Sequence, residues 1–220
     1  MNNKQKINFA FYVSGGASRL SKLIRKDSLI LINTVLVIND NAPNLKLKKL
    51  LTKKKINYVE INYEDLKLVD NEKNIHLSKL LLKKFIEYNI DYCFCFGRKI
   101  LTEYLLKKYK NKIINFHPSI LPMFPGEKSI DKAKKSNAFL IGNTAHFVDS
   151  GIDTGPVLMQ SIRYKNASCE SIIDMQIPMI EQIYKWIING QLTIGKKGVV
   201  IKKANYKQTI FFPSLETNLL

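Results

Sequence analysis

The chain has 220 residues, enough for one domain with a substantial core, and its 45% hydrophobic and 10% aromatic content is that of a globular protein. No apolar run is long enough to cross a bilayer, since the run from 29 to 38 is broken by Asn33 and Thr34, and residues 1–6 lack the apolar core of a secretory signal; a cytoplasmic protein is expected. The formal charge of +17 is nearly all lysine, with arginine only at 19, 25, 98 and 163, which favours a solvated lysine surface over a nucleic-acid footprint built from arginine forks and aromatic platforms.

In chain order, residues 7–13 (INFAFYV) read as a buried strand, SGGASRL (14–20) as a small-residue turn, and 18–26 as a short helix. TVLVIN (34–39) is a second strand, followed by a helix over 43–54 opened by Asn41-Ala42-Pro43. NYVEI (57–61) is a third strand. The apolar stripe Ile75, Leu77, Leu80, Leu81, Leu82, Phe85 and Ile86 predicts a helix over 75–88, with His76 on its surface. DYCFCF (91–96) is a fourth strand, a helix lies near 101–109, and KIINF (112–116) is a fifth strand.

Five alternations of strand and helix predict an α/β fold: an open, mostly parallel twisted sheet with helices on both faces. Beyond residue 117 the rhythm changes. A proline-rich loop leads to a helix near 127–136, then to strands at 141–149 and 156–164 joined by the turn SGIDTG. A last helix over 168–188 contains Trp186 and ends at Asn189-Gly190. The expected organisation is a catalytic domain over 1–190 and a C-terminal extension of short strands and irregular tail over 191–220. Cys93 and Cys95 alternate with Tyr92, Phe94 and Phe96, so they read as buried thiols, and no metal site is expected.

Ligands of open α/β sheets bind beyond the carboxyl ends of the strands. Three features fall there: the SGGASR turn after the first strand, Phe96 to Lys99 after the fourth, and Asn115 to His117 after the fifth. Asn115 and His117 lie two apart on a strand and share a face, so an amide and an imidazole point into one cleft. Pro118, Pro122, Pro125 and Gly126 keep the next stretch from closing over them as a helix.

The segments Asn115-Phe-His117-Pro-Ser-Ile-Leu-Pro122, Pro125-Gly126, His146-Phe-Val-Asp149 and Gly151-Ile-Asp153-Thr-Gly-Pro156 resemble those of the 10-formyltetrahydrofolate-dependent formyltransferases, whose fold is Rossmann-like. The resemblance is sharp over 112–160 and looser over 7–111 and 161–190. It implies 10-formyltetrahydrofolate as co-substrate and Asn115, His117 and Asp153 as the catalytic three. An amine attacks the formyl carbon, the Asn115 N–H and a protonated His117 stabilise the oxyanion, and Asp153 favours the charged ring and helps proton transfer. The resemblance also places the pterin against Arg98, Lys99, Ile100 and Leu101 and against the Asp149–Asp153 loop. His146 falls beside the site, contacting folate or supporting the Asp153 loop.

On the acceptor side the resemblance implies Ser14, Gly15, Gly16, Ala17, Ser18 and Arg19 as a phosphate turn, together with Gly126 and Gln176. The family's usual turn reads S-G-x-G-S-N; here Ala17 stands for a glycine and Arg19 for the asparagine, and Gln176 falls where a glutamate is expected. Phe211-Phe212-Pro213-Ser214-Leu215-Glu216-Thr217 resembles a segment following the catalytic domain of sugar-type members, and the tRNA enzyme's auxiliary domain of about a hundred residues is expected to be absent. The expected acceptor is therefore a small phosphorylated amine, with an amino-sugar nucleotide ahead of glycinamide ribonucleotide. Hydrolysis of 10-formyltetrahydrofolate is a further alternative, and the sequence leaves room for a homodimer.

Overall fold

The computed structural model describes residues 6–41, 43–195, 198–207 and 212. Seven strands form one sheet in the order β3-β2-β1-β4-β5-β6-β7, with β1 at Phe9–Val13, β2 at Thr34–Asn39, β3 at Asn57–Glu60, β4 at Tyr92–Phe96, β5 at Ile113–His117, β6 at Leu140–Phe147 and β7 at Val157–Tyr164. The first five pair in parallel; β5–β6 and β6–β7 are antiparallel. The chain winds outward from β1 through β2 to β3, then restarts on the other side with β4. The crevice at that reversal lies between the ends of β1 and β4.

Strand alternation builds two cores. Phe9, Phe11, Val13, Phe94, Phe96, Ile114 and Phe116 face one side, against α1 (Ser18–Arg25), α2 (Leu45–Lys53) and α7 (Gln176–Ile188). Ala10, Tyr12, Cys93, Cys95 and Ile113 face the other, against α3 (Asp70–Glu87) and α4 (Glu103–Lys108). On the first side the rings of Phe11, Phe94, Phe96 and Phe116 pass from strand to strand at centroid distances of 5.5 to 5.9 Å. Such contacts fix the strand ends that carry the site.

Several expectations shift. The third helix begins at Asp70, five residues before the apolar stripe, because Asp70 and Glu72 suit a helix N-terminus although no apolar periodicity marks that turn. The second begins at Leu45, where the Asn44 side chain caps it by accepting from the Leu47 N–H. The expected helix over 168–188 is two: α6 (Cys169–Asp174) and α7, meeting at Met175. Pro178 has no N–H for the Asp174 carbonyl, and its ring would collide with it, so a continuous helix fails there. The remaining short helix, α5, spans Ser129–Lys135.

The extension packs on the core. β8 (Leu192–Gly195) and β9 (Gly198–Ile201) pair antiparallel as a separate hairpin, with Ile201 buried and Leu192 and Val199 against the first core. The Phe211–Leu215 segment lies outside the described residues except for Phe212, whose ring meets Phe139 at 6.3 Å. Among the described residues, no helix is long and apolar enough to cross a membrane.

The turn between β6 and β7 is pinned by close backbone approach. A Cβ on Gly155 would stand 1.8 Å from the Phe147 carbonyl oxygen. Gly155→Ala is therefore expected to destabilise the chain by about 1–3 kcal/mol, read as a lower urea midpoint at an unchanged slope; an unchanged midpoint would show that the turn relaxes freely.

Candidate active site

β5 presents Asn115 and His117 on the face shared with Ile113. Because β6 runs antiparallel, its register sets His146 directly opposite Asn115. Asn115 Nδ2 lies 3.2 Å from His146 Nε2. The 148–156 turn leaves the sheet beside Ile113, where the Val148 N–H donates to the Ile113 carbonyl. It then doubles back across the sheet face, so that Asp153 reaches His117 at the far end of β5. Asp153 adopts φ 55°, a left-handed conformation that Asp tolerates better than most residues.

The Asp153 carboxylate gathers the cluster. Its Oδ2 lies 3.1 Å from His117 Nδ1 and accepts from the Gly126 N–H at 2.8 Å. Its Oδ1 lies 3.3 Å from His146 Nε2 and 3.4 Å from Asn115 Nδ2. Gly126 can aim its N–H there because it sits at φ +73°, open to glycine without strain. Burial pushes the Asp153 carboxyl up, but the His146 hydrogen bond, the Gly126 N–H and the charges of the two histidines outweigh it and hold it below the ordinary carboxylate value.

His117 stands between two acceptors: Asp153 on Nδ1 and the Phe124 carbonyl, 2.9 Å from Nε2. A neutral ring can donate to only one of them, whereas an imidazolium serves both. His146 uses Nδ1 on the Phe147 carbonyl at 2.9 Å, which leaves Nε2 to Asn115 and Asp153. The proline loop is itself held by hydrogen bonds. Ser119 Oγ donates to the Met123 carbonyl at 2.6 Å, the Leu121 N–H to Thr144 Oγ1 at 3.0 Å, and Gln160 Nε2 to the Leu121 carbonyl at 2.9 Å. The carbonyl of Phe124 is a backbone group, so its place against His117 carries no side-chain signature in the sequence.

The other expected residues divide. Ser14 to Arg19 line a cleft of about 320 Å³ together with Asp40, Asn41, Glu64, Phe96, Arg98 and Lys99. Ala17 holds φ 48°, a conformation that favours the glycine it replaces. The Arg98 N–H donates to Ser14 Oγ at 3.0 Å, which ties the turn after β4 to the turn after β1. Lys99 pairs with Glu64 at 2.7 Å over the Tyr63 ring, Ile100 is 63% exposed, and Leu101 is packed in the second core. The Asp149 carboxylate is used inside its own turn, accepting from the Gly151 N–H and Thr154 Oγ1. His76 is exposed, as expected.

Gln176 is fully buried and committed. Its Nε2 donates to Asn143 Oδ1 at 2.8 Å and to the Phe116 carbonyl at 3.4 Å, and its Oε1 accepts from Arg19 Nη1 at 2.7 Å. Asn143 Nδ2 donates in turn to the Ile172 carbonyl at 2.8 Å. Arg19 also lies 4.2 Å over the Phe96 ring. The acceptor-side cleft is thus joined to the backbone between Asn115 and His117. Among the described residues, no group of three His, Cys, Asp or Glu is arranged to hold a metal ion.

A depressed Asp153 contributes stability that is present above the unfolded carboxyl value of ~3.9 and is lost as pH falls through the lower folded value. The gap in urea midpoint between the wild type and Asp153→Asn is expected to shrink as pH drops from about 5 to about 3. A gap that stays constant would mean that the carboxylate charge is not what the cluster holds.

Residues 7–165 match the family described as Formyl transferase. A stretch of 104 residues is 35% identical to phosphoribosylglycinamide formyltransferase of Bacillus subtilis, covering 46% of this chain and 52% of that protein. Another, of 77 residues, is 38% identical to formyltetrahydrofolate deformylase of Haemophilus influenzae, covering 34% of this chain and 28% of that protein. The chain thus spans about half or less of the length of these relatives. Glycinamide ribonucleotide transformylase 1 of Symbiobacterium toebii shares the fold, with a TM-score of 0.77 at 21% identity over 90% of this chain and 94% of that chain. With the family match running over most of the chain, and the motif residues drawn from two separate segments meeting around one carboxylate, this protein belongs to the formyl transferase family.

Proposed function

We infer that the chain is an N-formyltransferase that takes its formyl group from 10-formyltetrahydrofolate and delivers it to the primary amine of a small phosphorylated acceptor. The observation that carries this reading is the meeting of Asn115, His117 and Asp153 in one cluster. In the reaction the acceptor nitrogen forms a bond to the formyl carbon while the bond to the folate nitrogen breaks. One proton must pass from the attacking amine to the leaving nitrogen.

Asn115 Nδ2 carries two N–H bonds. One donates to Asp153 Oδ1 at 3.4 Å, which leaves the other for the oxyanion of the tetrahedral intermediate. His117 adds positive charge at the same atom and, backed by Asp153, moves the proton. The Phe124 carbonyl occupies His117 Nε2 in this arrangement, so the formyl group binds by displacing that contact. The half-exposed Met123 and the more exposed Ile100 and Ile152 offer apolar surface for a pterin near the loops that the family resemblance assigns to it.

For the acceptor, phosphoribosylglycinamide is the first candidate, because the Bacillus relative bears that name. An amino-sugar nucleotide drew its support from the 211–217 tail, most of which lies outside the described residues. Hydrolysis without an acceptor is the second reading. The Haemophilus relative favours it, and so does Gln176, whose polar atoms are already bound to protein.

Tetrahydrofolate release, followed with and without phosphoribosylglycinamide, is expected to depend on the amine. Release at the same rate without any amine would replace transfer by hydrolysis. Asn115→Ala is expected to lower kcat by about 10²- to 10³-fold with little change in folate affinity. Asp153→Asn should flatten the pH–rate profile as well as lower it, and near-normal turnover in either variant would remove the catalytic assignment.

A further inference from the structure

At the end opposite the catalytic cluster the sheet finishes in a level platform. The register sets Phe9 beside Thr34 and Tyr92, and Cys93 beside Ile113, so the starts of β1, β2, β4 and β5 are aligned within one residue. The turns that feed these strands lie in one plane, remote from the strand ends that carry Ser14 and His117. α1 closes on this plane. The Asp27 N–H donates to the Ile24 carbonyl and the Ser28 N–H to the Leu23 carbonyl, with Asp27 at φ 50°. A single 3-10 turn follows at Leu29–Ile32. Its three-residue period stacks Leu29 and Ile32 on one face. Ile30 is buried in the core, whereas Leu29 and Ile32 are 59% and 69% exposed.

The rim of this aliphatic wedge is cationic. Arg25 and Lys26 end α1, Lys53, Lys54 and Lys55 end α2, and Lys185 lies in the last turn of α7; all six are exposed. Lys54 pairs with Asp27, which joins the ends of α1 and α2. Ser28 Oγ donates to Glu181 at 2.7 Å, which joins α7 to the same turn. Arg25, Lys26, Lys53, Lys55 and Lys185 have no carboxylate within ion-pair distance among the described residues. Cations near a helix C-terminus offset the dipole, which is worth about half an elementary charge per helix. Three helix ends therefore compensate only about 1.5 of these charges. Exposed Lys107, Lys108 and Lys110 extend the same surface past α4.

We propose that this end of the sheet docks on an anionic lipid bilayer, with Leu29 and Ile32 entering the headgroup region and the surrounding lysines and Arg25 resting on the lipid phosphates. Ammonium groups are point charges, which suits a diffuse anionic surface. The aliphatic pair adds apolar area that a bilayer buries and a nucleic-acid backbone would leave in water. The strand ends that carry Ser14 and His117 then face away from the lipid, so substrates reach them while the protein is docked. Docking uses no residue of the catalytic cluster.

Co-sedimentation of the full chain with phosphatidylcholine vesicles, plain or carrying about 30% phosphatidylserine, tests this. Partition onto the anionic vesicles is expected to be at least about tenfold stronger, and to fall away by about 0.5 M salt. Leu29→Ser with Ile32→Ser should weaken it by about tenfold while the salt dependence persists. Lys26→Gln with Lys53→Gln should also cost about tenfold, whereas Lys46→Gln with Lys67→Gln, which removes the same charge at the other end of the sheet, should stay within about twofold. No binding, equal binding to both vesicles, indifference to the serine pair, or equal loss from the two glutamine pairs would each overturn the proposal. Oligouridylate that displaces the vesicles, and binds equally well to the serine variant, would assign the surface to nucleic acid and overturn it too. The wild-type comparison of the two vesicles decides alone if a variant does not fold.

Discussion

A single carboxylate organises the reactive end of this molecule. Asp153 accepts from the imidazoles of two strands, an amide on one of them, and a backbone N–H of the proline loop. A buried charge is tolerated only when its lone pairs are occupied, so each of these donors is also a constraint on where the others stand. The antiparallel return of β6 is what allows it. That return sets His146 against Asn115 and sends the 148–156 turn back over the face that carries His117. An all-parallel sheet would deliver the same residues to different levels.

Much of this was legible in the sequence because the signals were local. The apolar runs at 9–13, 35–38, 92–96 and 113–117 are interrupted by an amide or a titratable ring nitrogen only at Asn115 and His117. Those two stand out because a buried strand has no packing reason to hold them. The turn residues Gly126 and Gly155 mark positions where backbone must adopt a left-handed angle or approach backbone closely. Pro178 was equally visible, but the apolar stripe around it spoke for an unbroken helix, and steric exclusion at the Asp174 carbonyl prevailed over periodicity.

What stayed hidden depends on pairing across the chain. Nothing adjacent to Phe124 indicates that its carbonyl faces His117. Gln176 reads as a residue for ligand contact, yet its amide is consumed by Asn143, Phe116 and Arg19, residues 33, 60 and 157 positions away. Asp40 carried a weak signal, since a carboxylate just past a buried strand needs partners. Its partners Tyr12 and Ser14 belong to another strand and become apparent only when β1 and β2 are laid side by side.

The interruption between α6 and α7 reaches further than helix geometry. Carbonyls in the last turn of a helix lack intrahelical partners, and the Ile172 carbonyl is one of these. It orients Asn143, Asn143 orients Gln176, and Gln176 steadies the guanidinium of Arg19 at the mouth of the cleft. A proline remote from the reacting atoms is thereby wired, through three amide groups, to a buried guanidinium that lines the cleft.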